Sequence, residues 1–196
     1  DEAQAFVDYY QGLNSLQKGL DQWAIEQFDQ IPQESPYRAR ATYALIIRAL
    51  AGGELEGAKQ ALIDLRSARN VEESLRLDIE RTLARIAFEE GRWRDAQEAY
   101  LTLRKSAPDD PELLLEMAWT HYYLGEYQRA LGLLVALDAP AYAGLIAPER
   151  YLLEALSLRK LCQFEPARKA AVRLRSRHGD AIDDLYEGTP LLESAP

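Results

Sequence analysis

The 196-residue chain holds one cysteine, one methionine and two histidines. A single thiol closes no intrachain disulfide, and so small an inventory leaves no cysteine-rich or histidine-pair metal site. Also missing are a Gly-rich phosphate loop, a nucleophile elbow and a Cys-X-X-Cys pair, the patterns that announce nucleotide, hydrolase or redox chemistry. No catalytic residue, metal ligand or cofactor is therefore assigned, and the chain is read as no enzyme. No apolar run reaches the roughly 20 residues that cross a bilayer; the nearest stretch, Leu131 to Ala147, is broken by Asp138 and Pro140. Basic charge is scarce as well. With 23 Lys and Arg against 32 Asp and Glu the net charge is −9, which disfavours nucleic acid and anionic membrane surfaces as partners.

What the chain does have is apolar residues, 47% of the total, ample for a core and unlike a disordered chain. These residues recur. Aligning the sequence on itself brings Ala24, Ala58, Ala96, Ala130 and Ala167 into register at separations of 34, 38, 34 and 37. Five positions ahead stand Gly19, Gly53, Gly91 and Gly125, with Cys162 breaking the series; three ahead come Leu55, Trp93, Tyr127 and Phe164. Four after each alanine lie Phe28, Leu62, Tyr100, Leu134 and the smaller Ala171, and twelve before it Gly12, Ile46, Ala84, Ala118 and Ala155. A glycine ends one helix in a left-handed conformation. The large residue two positions later opens the next helix and covers the turn. One small residue per helix lets the antiparallel pair approach closely, and the bulky residue one turn beyond the alanine shares its face.

This pattern resembles the tetratricopeptide repeat family over residues 5 to 178. The best matches are residues 77 to 110, with Leu83, Ala84, Gly91, Trp93, Ala96, Tyr100 and Pro108, and residues 111 to 144, with Met117, Ala118, Gly125, Tyr127 and Ala130. The resemblance implies an all-α fold, a right-handed α-solenoid of about five helix hairpins: 5–38, 39–76, 77–110, 111–147 and 148–178. A capping segment and acidic tail follow at 179–196, with the pattern stopping after Gly179. The extra residues between the second and third repeats suggest a helix lengthened at its start near Val71, where Asn70 and Glu73 have capping-box spacing. Those before the fifth fall in a greasy loop bracketed by Pro140 and Pro148.

In this family the first helix of each hairpin lines a concave face along which partners lie, which implies a protein or peptide partner. Carried over by position, that face holds Phe6, Tyr9 and Leu13; Arg40, Tyr43 and Ile47; Arg81, Arg85 and Phe88; Leu115, Trp119, Tyr122 and Tyr123; and Leu152, Leu156 and Arg159. Aromatic and arginine side chains are the types enriched at binding hot spots, so Tyr9, Arg40, Tyr43, Arg81, Arg85, Trp119, Tyr122 and Tyr123 are the candidate partner-binding residues. Leu115, Leu152, Leu156 and Phe6 have a competing reading as core residues misphased by one position. Arg81 and Arg85, one turn apart, have the spacing to grip a carboxylate. The asparagine and lysine set with which chaperone-tail-binding members clamp a terminal carboxylate is not seen.

Other conspicuous residues have structural readings. Cys162 is expected to be a semi-buried small side chain, His121 a packing residue, and His178 a helix-end residue suited to the dipole. Asp109-Asp110 before Pro111 marks a helix start, and the pairs Glu72-Glu73, Glu89-Glu90 and Asp183-Asp184 read as caps and solvated faces. The run Arg168, Lys169, Arg173, Arg175 and Arg177 is read as pairing with the acidic tail or an adjoining domain, against an anion site. Arginine outnumbers lysine 18 to five, which hints at a high-GC bacterial genome. The start at Asp1 rather than Met is compatible with removal of a signal peptide, lipid anchor or further domains. The reading is a non-enzymatic adaptor of a bacterial envelope assembly, periplasmic or outer-membrane associated, with the cytoplasm as alternative. A regulatory sensor array controlling an attached domain, or an array serving an enzyme on another subunit, are the competing functions. The terminal repeats and the Tyr142–Ile146 loop leave apolar surface that self-association would cover.

Overall fold

A left-handed residue recurs at the end of every other helix. In the computed structural model, which describes residues 2–68, 71–142 and 148–187, Gly19, Gly53, Gly91 and Gly125 have φ between 72° and 89°, and Cys162 has φ 59°. The turns close as Schellman motifs: Leu20 N–H donates to Ser15 O at 2.9 Å, Glu54 to Ala49 at 3.0 Å, Glu126 to His121 at 2.8 Å and Gln163 to Leu158 at 2.9 Å. Two residues after each turn a new helix begins.

Among the described residues the elements are α1 (Glu2–Gln17), α2 (Asp21–Asp29), α3 (Pro36–Ala51), α4 (Leu55–Arg66), α5 (Glu73–Glu89), α6 (Trp93–Ser106), α7 (Pro111–Tyr123), α8 (Tyr127–Ala136), α9 (Glu149–Lys160) and α10 (Phe164–Glu187), with a 3-10 turn at Pro140–Tyr142 and no strand. The chain is all-α, as the repeat pattern predicts. α3 and α7 open on Pro36 and Pro111, whose missing N–H is an orphan at that position anyway. Ser35 accepts from Tyr37 N–H at 3.3 Å, and Asp110 from Glu112 and Leu113 N–H at 2.9 and 3.1 Å. The chain divides into two compact units, Asp1–Glu90 and Gly91–Pro196.

In the first unit α1, α3 and α5 form one layer and α2 and α4 the other. Ala24 and Phe28 of α2 are fully enclosed with Ala5, Ile31 and Ala41, and a second cluster gathers Ile46, Leu62, Leu75 and Ile79. At Gly12 the approach is so close that a Cβ would stand 2.2 Å from Cε1 of Phe28. In the second unit Ala96, Ala118 and Ala130 have no exposed surface, and Leu134 packs with Leu114 and Leu153. Arg150, almost fully buried, ties α9 to α8 by donating to Leu134 O at 3.3 and 3.2 Å and pairing with Asp138 at 2.5 Å.

A carboxylate joins three helices of this second unit. Glu126 accepts from Arg94 at 3.0 Å, Gln97 at 3.3 Å and Arg129 at 3.1 Å, and lies 2.7 Å from Nδ1 of the buried His121. The hydrogen bond to His121, assisted by the two arginines, holds its pKa down at about 2.

The last hairpin departs from the expected pattern. Ala167 is half-exposed and Ala171 exposed, and Ala170 is the enclosed alanine of α10, because no following helix covers the Ala167 side among the described residues. Ala155 is likewise only half-buried. Cys162 is exposed, a correction to the semi-buried expectation: its position is chosen by the left-handed turn, not by packing. Gly179 and His178 lie inside α10, so neither ends the helix. The Arg175 to Asp183 bond at 2.9 Å spans the glycine, and the His178 ring sits 6.1 Å from that of Tyr151. α5 starts after Glu72, whose side chain makes no capping bond. Asn70, residues 143–147 of the greasy loop and the tail beyond 187 lie outside the described residues.

Two predictions follow from these contacts. Gly12→Ala should overpack against Phe28 and cost about 1–3 kcal/mol, whereas Cys162→Gly should remove left-handed strain and add about 1 kcal/mol; urea midpoints that move the same way contradict this assignment. Glu126, with a folded pKa below its ordinary 4.5, contributes stability that is complete above that value and is lost as pH falls toward 2. The wild-type urea midpoint should therefore drop over this acid window by more than that of Glu126→Gln, and parallel pH profiles would contradict the role given to the network.

Candidate functional site

The layer of first helices in the first unit brings aromatic and charged residues together. Tyr9 of α1 lies 5.6 Å from the ring of Tyr37 and 5.2 Å from Tyr10, and Phe6 contacts Tyr10 at 4.5 Å and Tyr37 at 5.8 Å, edge to face. Such tilted and T-shaped pairs suit the ring quadrupoles. Burial, partly countered by Arg40, raises the pKa of the Tyr9 phenol. Arg40 of α3 reaches the start of α5, pairing with Glu72 at 2.5 Å and donating to Ser74 at 3.1 Å. Between α1, the start of α3 and Glu72 opens a cavity of about 400 Å³, bordered by Glu2, Tyr9, Tyr10, Tyr37, Arg40 and Glu72, with Leu13 and Pro36 as its aliphatic wall.

One step along the same layer Tyr43 shares a 2.8 Å hydrogen bond with Thr82 of α5. Burial pushes its phenol pKa up, while the Thr82 bond and the charges of Arg85 and Arg81 pull it down. Tyr9, Arg40 and Tyr43 thus lie on one continuous layer. Arg81 is half-buried and Arg85 exposed on α5, near enough to Tyr43 to act on it electrostatically. Phe6 is 46% exposed, so it is no core residue.

In the second unit Trp119, Tyr122 and Tyr123 of α7 form a second aromatic group. Trp119 meets Tyr122 edge-on at 5.9 Å and Tyr123 at 6.1 Å. Trp93 of α6 stacks on Tyr123 at 5.3 Å, and Tyr127 of α8 lies 5.5 Å from Tyr122. The indole Nε1 of Trp119 is buried and has no hydrogen-bond partner among the described residues. Leu152 is exposed, and Leu115 and Leu156 are half-buried.

Several contributors escaped the sequence reading. Tyr10 and Tyr37 neighbour candidate residues but belong to no repeat position, and Glu72 reads as a cap; only the fold joins them to Arg40. Trp93 and Tyr127 read as turn covers; that placement carries the Tyr127 ring to α7 at the turn before its own helix, while Trp93 meets α7 from the helix ahead of it. His121 does pack, yet it also serves Glu126, five residues on across the turn. In the basic run Arg168 pairs with Glu165 at 2.9 Å, Arg173 with Glu154 at 2.7 Å and Arg175 with Asp183 at 2.9 Å. Arg177 lies 5.6 Å over the Tyr151 ring. Among the described residues no group of three or more His, Cys, Asp or Glu has the placement of a metal site.

No protein-family model and no curated protein matches the chain. Solved structures do. A tetratricopeptide repeat protein from Parabacteroides merdae superposes with a TM-score of 0.68 at 16% identity, over 90% of this chain and 68% of that one. Pseudomonas aeruginosa pilF gives 0.67 at 16% identity over 89% and 77%. A fragment of MamA from Desulfovibrio magneticus RS-1 gives 0.68 at 10% identity over 88% and 94%. Identities this low speak to architecture alone, and on that ground the chain has the helix-hairpin repeat fold of the tetratricopeptide repeat proteins.

Proposed function

We propose that the chain is a non-enzymatic scaffold that docks a segment of a partner polypeptide on the layer of its first helices, as part of a larger bacterial envelope assembly. The observation that carries this reading is the cavity of about 400 Å³ beside Tyr9, Tyr37 and Arg40. Its size lies within the roughly 300–1,000 Å³ typical of ligand sites, and its walls combine rings with charged groups. The aromatic group at Trp119, Tyr122 and Tyr123 supplies a second surface of hot-spot residue types. Repeat folds present such surfaces on stacked hairpins, which favours a polypeptide ligand over a small metabolite. The arginine-rich composition supports a bacterial source, and a periplasmic or outer-membrane location is the place we assign the assembly. Among the described residues no helix is long and apolar enough to cross a membrane, so membrane association in this proposal runs through a partner or an anchor.

Site-specific photo-cross-linking tests the reading. A benzophenone amino acid replacing the exposed Tyr10 or Tyr123 should give partner adducts in cells of the source organism. The same group replacing Gln60, exposed on the opposite layer of the first unit, should give few. Equal labelling at all three positions, or labelling at Gln60 alone, would contradict docking on the first-helix layer.

A further inference from the structure

We infer that the cavity between α1 and α3 is a receptor for a basic side chain, arginine by preference, carried on an extended segment of the partner. The inference rests on the peptide-docking reading above and names what that segment presents. Charge decides it. Among the described residues three charged side chains line the cavity, Glu2, Arg40 and Glu72, and the one cation among these is already engaged, with Arg40 held on Oε2 of Glu72 and on Ser74. Oε1 of Glu72 accepts no hydrogen bond among the described residues, and the Glu2 carboxylate has no ion-pair partner there. The described lining is therefore one unit negative, and Asp78 adds a further negative charge acting on Arg40. An incoming carboxylate would sit beside two like charges to reach an arginine that is already neutralised.

The rings point the same way. Tyr9, Tyr10 and Tyr37 border the space, and their mutual tilts of 76° between Tyr9 and Tyr10 and 38° between Tyr9 and Tyr37 turn ring faces in different directions. A cation over a tyrosine face is attracted by the ring quadrupole. A guanidinium adds planar stacking and a donor fork that matches carboxylate oxygens, which a lysine ammonium lacks. The volume exceeds one side chain, leaving room for flanking backbone, while Leu13 and Pro36 offer the aliphatic stem an apolar wall. A purely apolar side chain would bury the Glu2 carboxylate and Oε1 of Glu72 without a partner.

The test uses the full chain and three blocked pentapeptides, acetyl-Gly-Gly-Arg-Gly-Gly-amide and its glutamate and glutamine counterparts, titrated while the tyrosine ring NMR signals are followed. The arginine peptide should shift the Tyr9, Tyr10 and Tyr37 rings saturably, several-fold more tightly than the glutamine peptide, and added salt should weaken it. Glu2→Gln, an exposed and fold-neutral change, should weaken arginine binding several-fold. Glu72→Gln, by releasing Arg40, should shift preference toward the glutamate peptide. Tighter binding of the glutamate peptide to the wild type, or arginine binding indifferent to both substitutions, overturns the basic-residue assignment but leaves peptide docking standing. If none of the peptides moves these rings, while cross-linking from Tyr10 still captures a partner, the cavity is no side-chain receptor. If cross-linking fails as well, the docking reading falls with it.

Discussion

Backbones that come too close for an ordinary side chain are the constraint on which the hairpins depend. At Gly12 the Phe28 ring occupies the space a Cβ would need, and Ala24, Ala96, Ala118 and Ala130 have no surface left for water. Interiors packed at crystal-like density have little slack to absorb an added methyl. The close approach in turn demands a sharp reversal, and the left-handed residues at 19, 53, 91, 125 and 162 supply it. The small side chain and the positive φ are two ends of one requirement: the chain must turn within three residues and then lie against itself.

That requirement also places the charged and aromatic groups. A helix starting two residues after the turn puts its first side chain over the preceding helix end, which is how Tyr127 comes to meet Tyr122, whereas Trp93 stacks on Tyr123 of the helix that follows its own. The turn after α7 likewise sets Glu126 where His121, Gln97 and two arginines converge. Side chains that stand far apart in sequence, such as Arg40 and Glu72 or Tyr43 and Thr82, meet because the first helices of successive hairpins in the first unit lie side by side. The candidate binding groups are thus carried by helices rather than by loops, on elements whose side chains are set by packing.

Much of this was legible from residue types alone. The glycine series at 19, 53, 91 and 125 marks the positive-φ turns because few residues tolerate that conformation, and Leu55, Trp93, Tyr127 and Phe164 each open the helix that follows. Cys162 occupies the same turn, so its misreading concerned burial and not backbone. Ala167 and Ala171 followed the series but not its burial, since periodicity records a helix face and not whether a neighbour covers it. Gly179 looked like a terminator, yet glycine ends a helix only where the chain has somewhere else to go, and the Arg175–Asp183 pair carries α10 past it. The cavity was the least legible feature. Tyr9 and Arg40 were identifiable by repeat position, whereas Glu2, Tyr10, Tyr37 and Glu72 join them only through contacts that no local pattern encodes.

The central claim, that side-chain size at the helix crossing sets the hairpin, is tested most directly by a double-mutant cycle at Gly12 and Phe28, read by equilibrium urea denaturation. If the Phe28 ring is what excludes a Cβ at Gly12, the penalty of Gly12→Ala should shrink in a Phe28→Leu background, with a favourable coupling of about 1 kcal/mol or more. Strictly additive free energies would show that the two positions do not compete for space, and the account of the hairpin would be wrong.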